Sequence, residues 1–89
     1  MRQRYLEVTF RKGKPVAAYL YFPRAPGVRS ARTQKVAPGM LADFAAGGEL
    51  IGLEFTAPSR VTVDQVNAVL STLGVATIAP EELSPLKAA

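Results

Sequence analysis

The sequence of 89 residues contains no cysteine, no histidine and no tryptophan. Without cysteine, the chain has no disulfide framework, no thiolate nucleophile and no cysteine metal site. Without histidine, it lacks the commonest general base, so it has neither a Ser/His/Asp nor a Cys/His catalytic set. Phosphate-loop and dinucleotide fingerprints are absent as well. We therefore predict a non-enzymatic protein that uses no cofactor and no metal.

Long hydrophobic runs are also missing. The first ten residues, MRQRYLEVTF, lack the apolar stretch of a signal peptide, and no segment approaches the roughly 20 apolar residues of a membrane span. These absences predict a cytoplasmic protein of bacterial type with no membrane partner. A chain of this length is the size of one domain, so we predict a single domain over residues 1–89.

Acidic residues are scarce in the first part of the chain. Residues 1–35 contain nine Arg and Lys residues and the single acid Glu7, whereas residues 36–89 contain two basic and six acidic residues. This asymmetry favours an acidic partner or a nucleic acid. The alternative is that the two halves lie side by side and partly neutralise each other. The candidate acidic-partner surface consists of Arg11, Lys12, Lys14, Arg24, Arg29 and Arg32.

Alternation of apolar and polar residues predicts short strands joined by tight turns. Leu6, Val8 and Phe10 form the buried side of the first strand, and a glycine hairpin follows at Gly13. The fifth strand, after the turn at residues 45–48, buries Ile51, Leu53 and Phe55. The predicted strands are at about 5–10, 16–22, 31–36, 40–44 and 50–55.

The last hairpin carries the two acids that lie on neighbouring strands. A turn centred on residues 46–47 predicts Leu50 opposite Asp43 and Gly52 opposite Leu41, with Glu54 on the same outward face as Asp43. Two such carboxylates are suited to acid–base work or to a cation. The alternatives are solvated strand positions or ion pairs of these acids with Arg32 and Lys35.

The best-defined element is a helix at about 62–73. Thr62 and Gln65 form a capping box, and Gly74 supplies a left-handed residue just after the last turn. The apolar stripe consists of Val63, Val66, Leu70 and Leu73. In the tail, residues 75–89, a single helical turn is predicted to begin at Pro80 and to end before Pro85. The fold class is α+β: an antiparallel β-meander of about five short strands with one C-terminal amphipathic helix packed on one face.

A family resemblance adds to this reading. The motifs ARTQKV at 31–36, Pro38-Gly39, Asp43 and LIGLEF at 50–55, together with Ala17, Tyr19 and Leu20, resemble the bacterial domain-of-unknown-function family 2283. The resemblance covers about residues 5–60, implies a small sheet domain and supplies no catalytic residue. Leu41 stands where that family usually has Asn, which makes the outward face more apolar.

The leading functional prediction is a protein–protein interaction module that forms a homodimer. One helix covers only one face of a sheet, so a second chain or another segment has to pack on the outward face. The candidate interface consists of Tyr19, Tyr21, Leu41 and Leu50. The competing arrangement has the tail folding over that face through Ile78, Leu83 and Leu86. The alternative function is a nucleic-acid-binding or antitoxin-like accessory protein that uses the basic N-terminal half, since members of the family are suspected to lie beside toxin genes.

Overall fold

A two-stranded hairpin and a three-stranded meander join in the middle of one antiparallel sheet. The computed structural model describes residues 3–87, so residues 1, 2, 88 and 89 of the predicted domain and tail lie outside the described residues. The strands are β1 (Tyr5–Arg11), β2 (Lys14–Tyr21), β3 (Arg32–Ala37), β4 (Met40–Phe44) and β5 (Leu50–Phe55), and their spatial order is β1-β2-β5-β4-β3. The predicted α+β class with an antiparallel sheet is confirmed. Each strand boundary lies within two residues of its predicted position.

The β1–β2 hairpin closes on Lys12 and Gly13, which have φ of 53° and 79°. Two consecutive positive φ values are what a type I′ hairpin turn requires, and glycine adopts one of them without strain. A bulge follows, because Thr9 pairs with Ala17 whereas Phe10 pairs with Pro15. Phe10 was predicted to be buried with Leu6 and Val8, but it is 48% exposed. That prediction is wrong because the helix-side core reaches Leu6 and Val8 of β1 but does not reach Phe10.

Helix α1 (Val63–Thr72) has both predicted ends. The Gln65 N–H donates to Thr62 Oγ1 at 3.1 Å, and the Thr62 N–H donates to Gln65 Oε1 at 3.0 Å, which completes the capping box. At the other end Gly74 has φ of 73°, and the Val75 N–H donates to the Leu70 carbonyl at 2.9 Å. This closure satisfies carbonyls that the end of the helix would otherwise leave unpaired.

The capping box gives the first testable prediction. Thr62→Ala removes the acceptor for the Gln65 N–H, so we expect the free energy of unfolding to fall by about 1 kcal/mol. Urea denaturation measures this loss. Thr72→Ala is the matched control, because the Thr72 hydroxyl donates to the Ala68 carbonyl within the helix and caps no free N–H group. Equal losses for the two variants would contradict the capping role.

The core lies between the sheet and α1. The helix buries Val66, Val69 and Leu70, while Val63 and Leu73 of the predicted stripe are only partly buried. Val69 was not in the predicted stripe, so the buried face of α1 is rotated slightly from the expected one. The sheet contributes Ala18, Leu20, Phe22, Met40, Ala42, Phe44, Leu53 and Phe55.

The tail packs on the same side of the sheet as α1. Its residues Ile78, Leu83 and Leu86 belong to the helix-side core. The Asn67 side chain fixes its path, accepting from the Ile78 N–H at 2.8 Å and donating to the Ile78 carbonyl at 3.2 Å. Arg4 reaches the tail from the other end of the chain and donates to the carbonyl of Ala76 at 2.6 Å. The tail therefore leaves the outward face of the sheet uncovered.

The tail contains a 3₁₀ helix, Pro80–Lys87, which includes Pro85. The prediction that Pro85 ends a single turn is therefore wrong. A proline within 3₁₀ structure lacks one N–H donor, and the apolar contacts of Leu83 and Leu86 hold the segment on the core despite that loss. No helix within residues 3–87 is long and apolar enough to cross a lipid bilayer.

Candidate functional site

The sheet face opposite α1 and the tail is built from alternate residues of all five strands, and we call it the open face. Cross-strand pairing arranges these residues in rows. One row crosses the whole sheet from Tyr5 through Tyr21, Gly52 and Asp43 to Thr33. The next row runs through Glu7, Tyr19, Glu54, Leu41 and Lys35, and the row beyond it begins with Thr9 and Ala17. Arg11 and Lys14 end the face at the hairpin.

Three tyrosine rings form one cluster on the open face. Tyr5 and Tyr21 are stacked, with ring centroids 4.5 Å apart and an interplanar angle of 14°. Tyr19 meets Tyr21 edge-on at 4.6 Å and 61°. Such geometries contribute stability beyond the burial of area. Tyr5 lies at the edge of the cluster and is 51% exposed, so the cluster presents an aromatic surface to solvent.

Gly52, in the central strand, makes room for Tyr19. A Cβ atom at position 52 would overlap the Tyr19 ring and its hydroxyl group. The ring lies across the glycine, and its hydroxyl donates to Asp43 Oδ2 at 2.6 Å. Burial raises the pKa of Tyr19 well above its ordinary value, and the hydrogen bond to Asp43 raises it further. The Tyr19 hydroxyl therefore remains protonated and serves as a fixed donor.

Asp43 is bound by hydroxyl groups rather than by cations. Besides Tyr19, the hydroxyl groups of Ser30 and Thr33 donate to its Oδ1 atom. The predicted alternative of ion pairs with Arg32 or Lys35 is wrong. The guanidinium of Arg32 lies over the Phe44 ring, 4.3 Å from its centroid. Asp43 thus connects the tyrosine cluster to the loop before β3, and its side-chain partners among the described residues are hydroxyl groups.

The Glu54 carboxylate lies at the centre of the open face without a hydrogen bond or an ion pair to any described residue. Its cross-strand neighbours are Tyr19 on β2 and Leu41 on β4. Beside it lies a hollow of about 130 Å³, whose lining includes Glu7, Ala17, Tyr19 and Glu54. The described residues contain no group of three acids that could hold a metal ion. The hollow instead suits a single organic cation, with two carboxylates and an aromatic wall.

The register of β4 and β5 differs from the predicted one by two residues. Asp43 pairs with Gly52 and Leu41 pairs with Glu54. The Ala45 N–H donates to the Glu49 carbonyl, so the turn is centred on Gly47, which shifts the register by one residue from the predicted one. A bulge between the pairs Asp43–Gly52 and Phe44–Leu50 shifts the register by a second residue. Asp43 and Glu54 share a face as predicted, but on neighbouring rows.

The same bulge changes the assignment of two side chains. Leu50, predicted at the outward interface, pairs with Phe44 and packs against the helix-side core. Ile51, predicted to face the helix, is buried outside that core cluster. Of the other predicted interface residues, Tyr19, Tyr21 and Leu41 lie on the open face and are partly buried by their neighbours. Sequence reasoning missed Tyr5 and Gly52, although strict alternation from Glu7 places Tyr5 on this face.

No family model, characterised protein or solved structure matches this chain. The resemblance to the domain-of-unknown-function family 2283 therefore stays a prediction carried by residues 5–60.

The predicted basic surface is divided between the two ends of β2. Arg11, Lys12 and Lys14 surround the hairpin turn, whereas Arg24 and Arg29 lie in the loop after Tyr21. Arg32 begins β3, next to that loop. The two groups are separated by the length of β2, about 23 Å for seven residue steps. They therefore form two small basic clusters with the acids of the open face between them.

A second concavity lies on the helix side, between α1 and the edge strand β3. It has a volume of about 500 Å³, and most of its lining is apolar, including Val36, Val69 and Leu73. Lys35 is the single charged residue of its lining, so it contains no acid–base pair. The open face carries more side chains that can form hydrogen bonds or ion pairs with a partner than this concavity does.

Proposed function

We propose that this chain is a non-enzymatic protein–protein interaction module that associates with itself through the open face. The observation that carries the proposal is the placement of the covering elements. Helix α1 and the tail both pack on the other side of the sheet, so the described residues leave Tyr5 exposed and cover Tyr19 and Tyr21 only in part. Contiguous aromatic surface of this kind is typical of interfaces.

The chemistry of the tyrosines supports this use. The hydroxyl groups of Tyr19 and Tyr21 already donate to Asp43 and Glu7, at 2.6 and 3.1 Å. A second surface can therefore cover the rings without leaving an unpaired hydroxyl group, which would cost free energy. The rings are also held in place before binding, so little side-chain entropy is lost on association.

The size of the face sets the expected affinity. Five strands spaced about 4.8 Å apart, with residues rising about 3.3 Å along each, give a face of about 500 Å² per copy. Two such faces lie at the lower end of specific interfaces. We therefore expect a two-fold dimer with a dissociation constant in the micromolar range.

The open face is less suited to nucleic acid. Its centre carries Glu7, Asp43 and Glu54, which repel phosphate, and the basic residues lie in two separate clusters. Nucleic-acid binding through the basic N-terminal half remains the alternative that the experiments below separate from self-association.

A matched pair of substitutions tests the proposal. Tyr5 and Phe10 lie on opposite faces of β1 and are exposed to nearly the same extent, 51% and 48%. We expect Tyr5→Ser to weaken self-association about 10- to 30-fold, because it removes the most exposed ring of the tyrosine cluster and aromatic residues contribute strongly to binding at interfaces. We expect Phe10→Ser to leave association unchanged. Sedimentation velocity over a concentration series measures both, and circular dichroism confirms that each variant is folded.

Equal weakening by the two substitutions would contradict the assignment of the interface to the open face. Fluorescence anisotropy with labelled duplex DNA and RNA gives the second arm. At physiological salt we expect no affinity tighter than about 10 μM. A sub-micromolar affinity that falls steeply with added salt would replace the proposal with nucleic-acid binding.

A further inference from the structure

Charges of opposite sign lie apart on the open face and form no ion pairs among the described residues. By the alternation of β1, Arg11 shares a face with Glu7, and its cross-strand partner is Lys14. The two acids nearest this end are Glu7 and Glu54. Within residues 3–87, the one ion pair joins Arg4 to Glu82 at 3.4 Å, on the helix side. The cations at the hairpin, Arg11 and Lys14, therefore have no ion-pair partner among the described residues, and neither do the acids Glu7 and Glu54.

The spacing of these charges along β1 is self-complementary. Thr9 lies midway between Arg11 and Glu7, two residues from each, and its partner on β2 is Ala17. If a two-fold axis lies in the plane between two facing sheets, perpendicular to the strands and over Thr9, it places Arg11 of one copy over Glu7 of the other. The same axis places Tyr5 of one copy over the turn at Gly13 of the other. The small side chains of Thr9 and Ala17 let the two sheets approach closely at that axis.

We propose that two copies pair in this antiparallel arrangement, with Arg11 and Lys14 of each copy bound at the Glu7–Glu54 hollow of the other. The inference deepens the proposed function and rests on it. The hollow of about 130 Å³ offers two carboxylates and the Tyr19 ring, which together bind a guanidinium or ammonium group. An axis centred on Glu54 is disfavoured, because it would set the two copies of this unpaired carboxylate against each other.

Reciprocal charge reversal provides the experiment. One variant, Arg11→Glu/Lys14→Glu, makes the hairpin end acidic. The other, Glu7→Lys/Glu54→Lys, makes the hollow basic. Each variant alone opposes like charges across both contacts of the dimer, so we expect its self-association to weaken by at least about tenfold. In an equimolar mixture both contacts join opposite charges again, and we expect association within about threefold of the unmodified protein.

Two controls keep the experiment interpretable. Arg29→Glu/Arg60→Glu changes the net charge as much as the hairpin variant does, at exposed residues away from the hollow, and is expected to leave association unchanged. Glu7→Gln/Glu54→Gln removes the acids without reversing them and is expected to weaken association and reduce its dependence on salt. If a charge-reversed variant fails to fold, the milder variant Glu7→Gln/Glu54→Gln still tests whether these acids contribute to association.

The outcomes separate this inference from the proposed function. A dimer that tolerates both reversed variants would overturn the pairing of Arg11 and Lys14 with the hollow but would leave self-association through the open face intact. Weakened variants whose mixture does not recover would also overturn it. A chain that stays monomeric before any substitution would overturn the proposed function together with the inference.

Discussion

Replacing Leu70 with alanine is expected to lower the free energy of unfolding by about 2–4 kcal/mol. The Leu70 side chain is completely buried in the helix-side core, where it lies with Val66 and Val69 of the same helix and with residues of the sheet and the tail. Truncation leaves a cavity between close-packed layers that relax only partly. In a domain of this size such a loss is a large fraction of the total stability.

Urea denaturation monitored by circular dichroism measures the loss. Leu73→Ala is the matched control, because Leu73 lies one turn further along and is only partly buried. It is expected to cost less than half as much, since its methyl groups are already partly hydrated. A loss below about 0.5 kcal/mol for Leu70→Ala would mean that α1 does not pack on the sheet as described.

Gly52→Ala is expected to destabilise the chain by about 1–3 kcal/mol, although it adds a single methyl group. The added Cβ overlaps the ring and hydroxyl of Tyr19, so the ring has to leave the strand and give up its hydrogen bond to Asp43. Gly47→Ala is the matched control. Its Cβ would meet the flexible side chain of Glu49 alone, so we expect a change within about 0.5 kcal/mol.

A double-mutant cycle identifies the cause of the Gly52 effect. In a Tyr19→Ala background the space above residue 52 is empty, so Gly52→Ala is expected to be neutral or slightly stabilising. The same loss in both backgrounds would show that the backbone at residue 52, rather than the overlap with Tyr19, requires glycine. Differential scanning fluorimetry of the four proteins is sufficient to distinguish the two results.

Most of the fold could be predicted from local patterns in the sequence. Alternation located the five strands, and the capping box with Gly74 located both ends of α1. Which parts of the sheet the helix and the tail cover could not be predicted in this way. Whether Phe10 is buried depends on how far the helix and tail extend over the hairpin, and Pro85 was misjudged because its segment is held by contacts to the core.

The candidate site was predicted less completely, for a similar reason. Alternation placed Tyr19, Tyr21 and Leu41 on one face, but the bulge near Leu50 shifted the register and moved that side chain to the core. A bulge adds one residue to one strand and has no reliable sequence signal, yet it reassigns every side chain beyond it. The role of Gly52 could be recognised only once its neighbour Tyr19 was known, because the two residues meet across strands.

Sedimentation of the unmodified protein over a concentration series is the most direct test of self-association through the open face. The chain has a mass of 9.5 kDa. We predict that the weight-average mass rises from this value towards twice this value as the concentration passes through the micromolar to high-micromolar range. A single species of 9.5 kDa at every concentration would contradict the account.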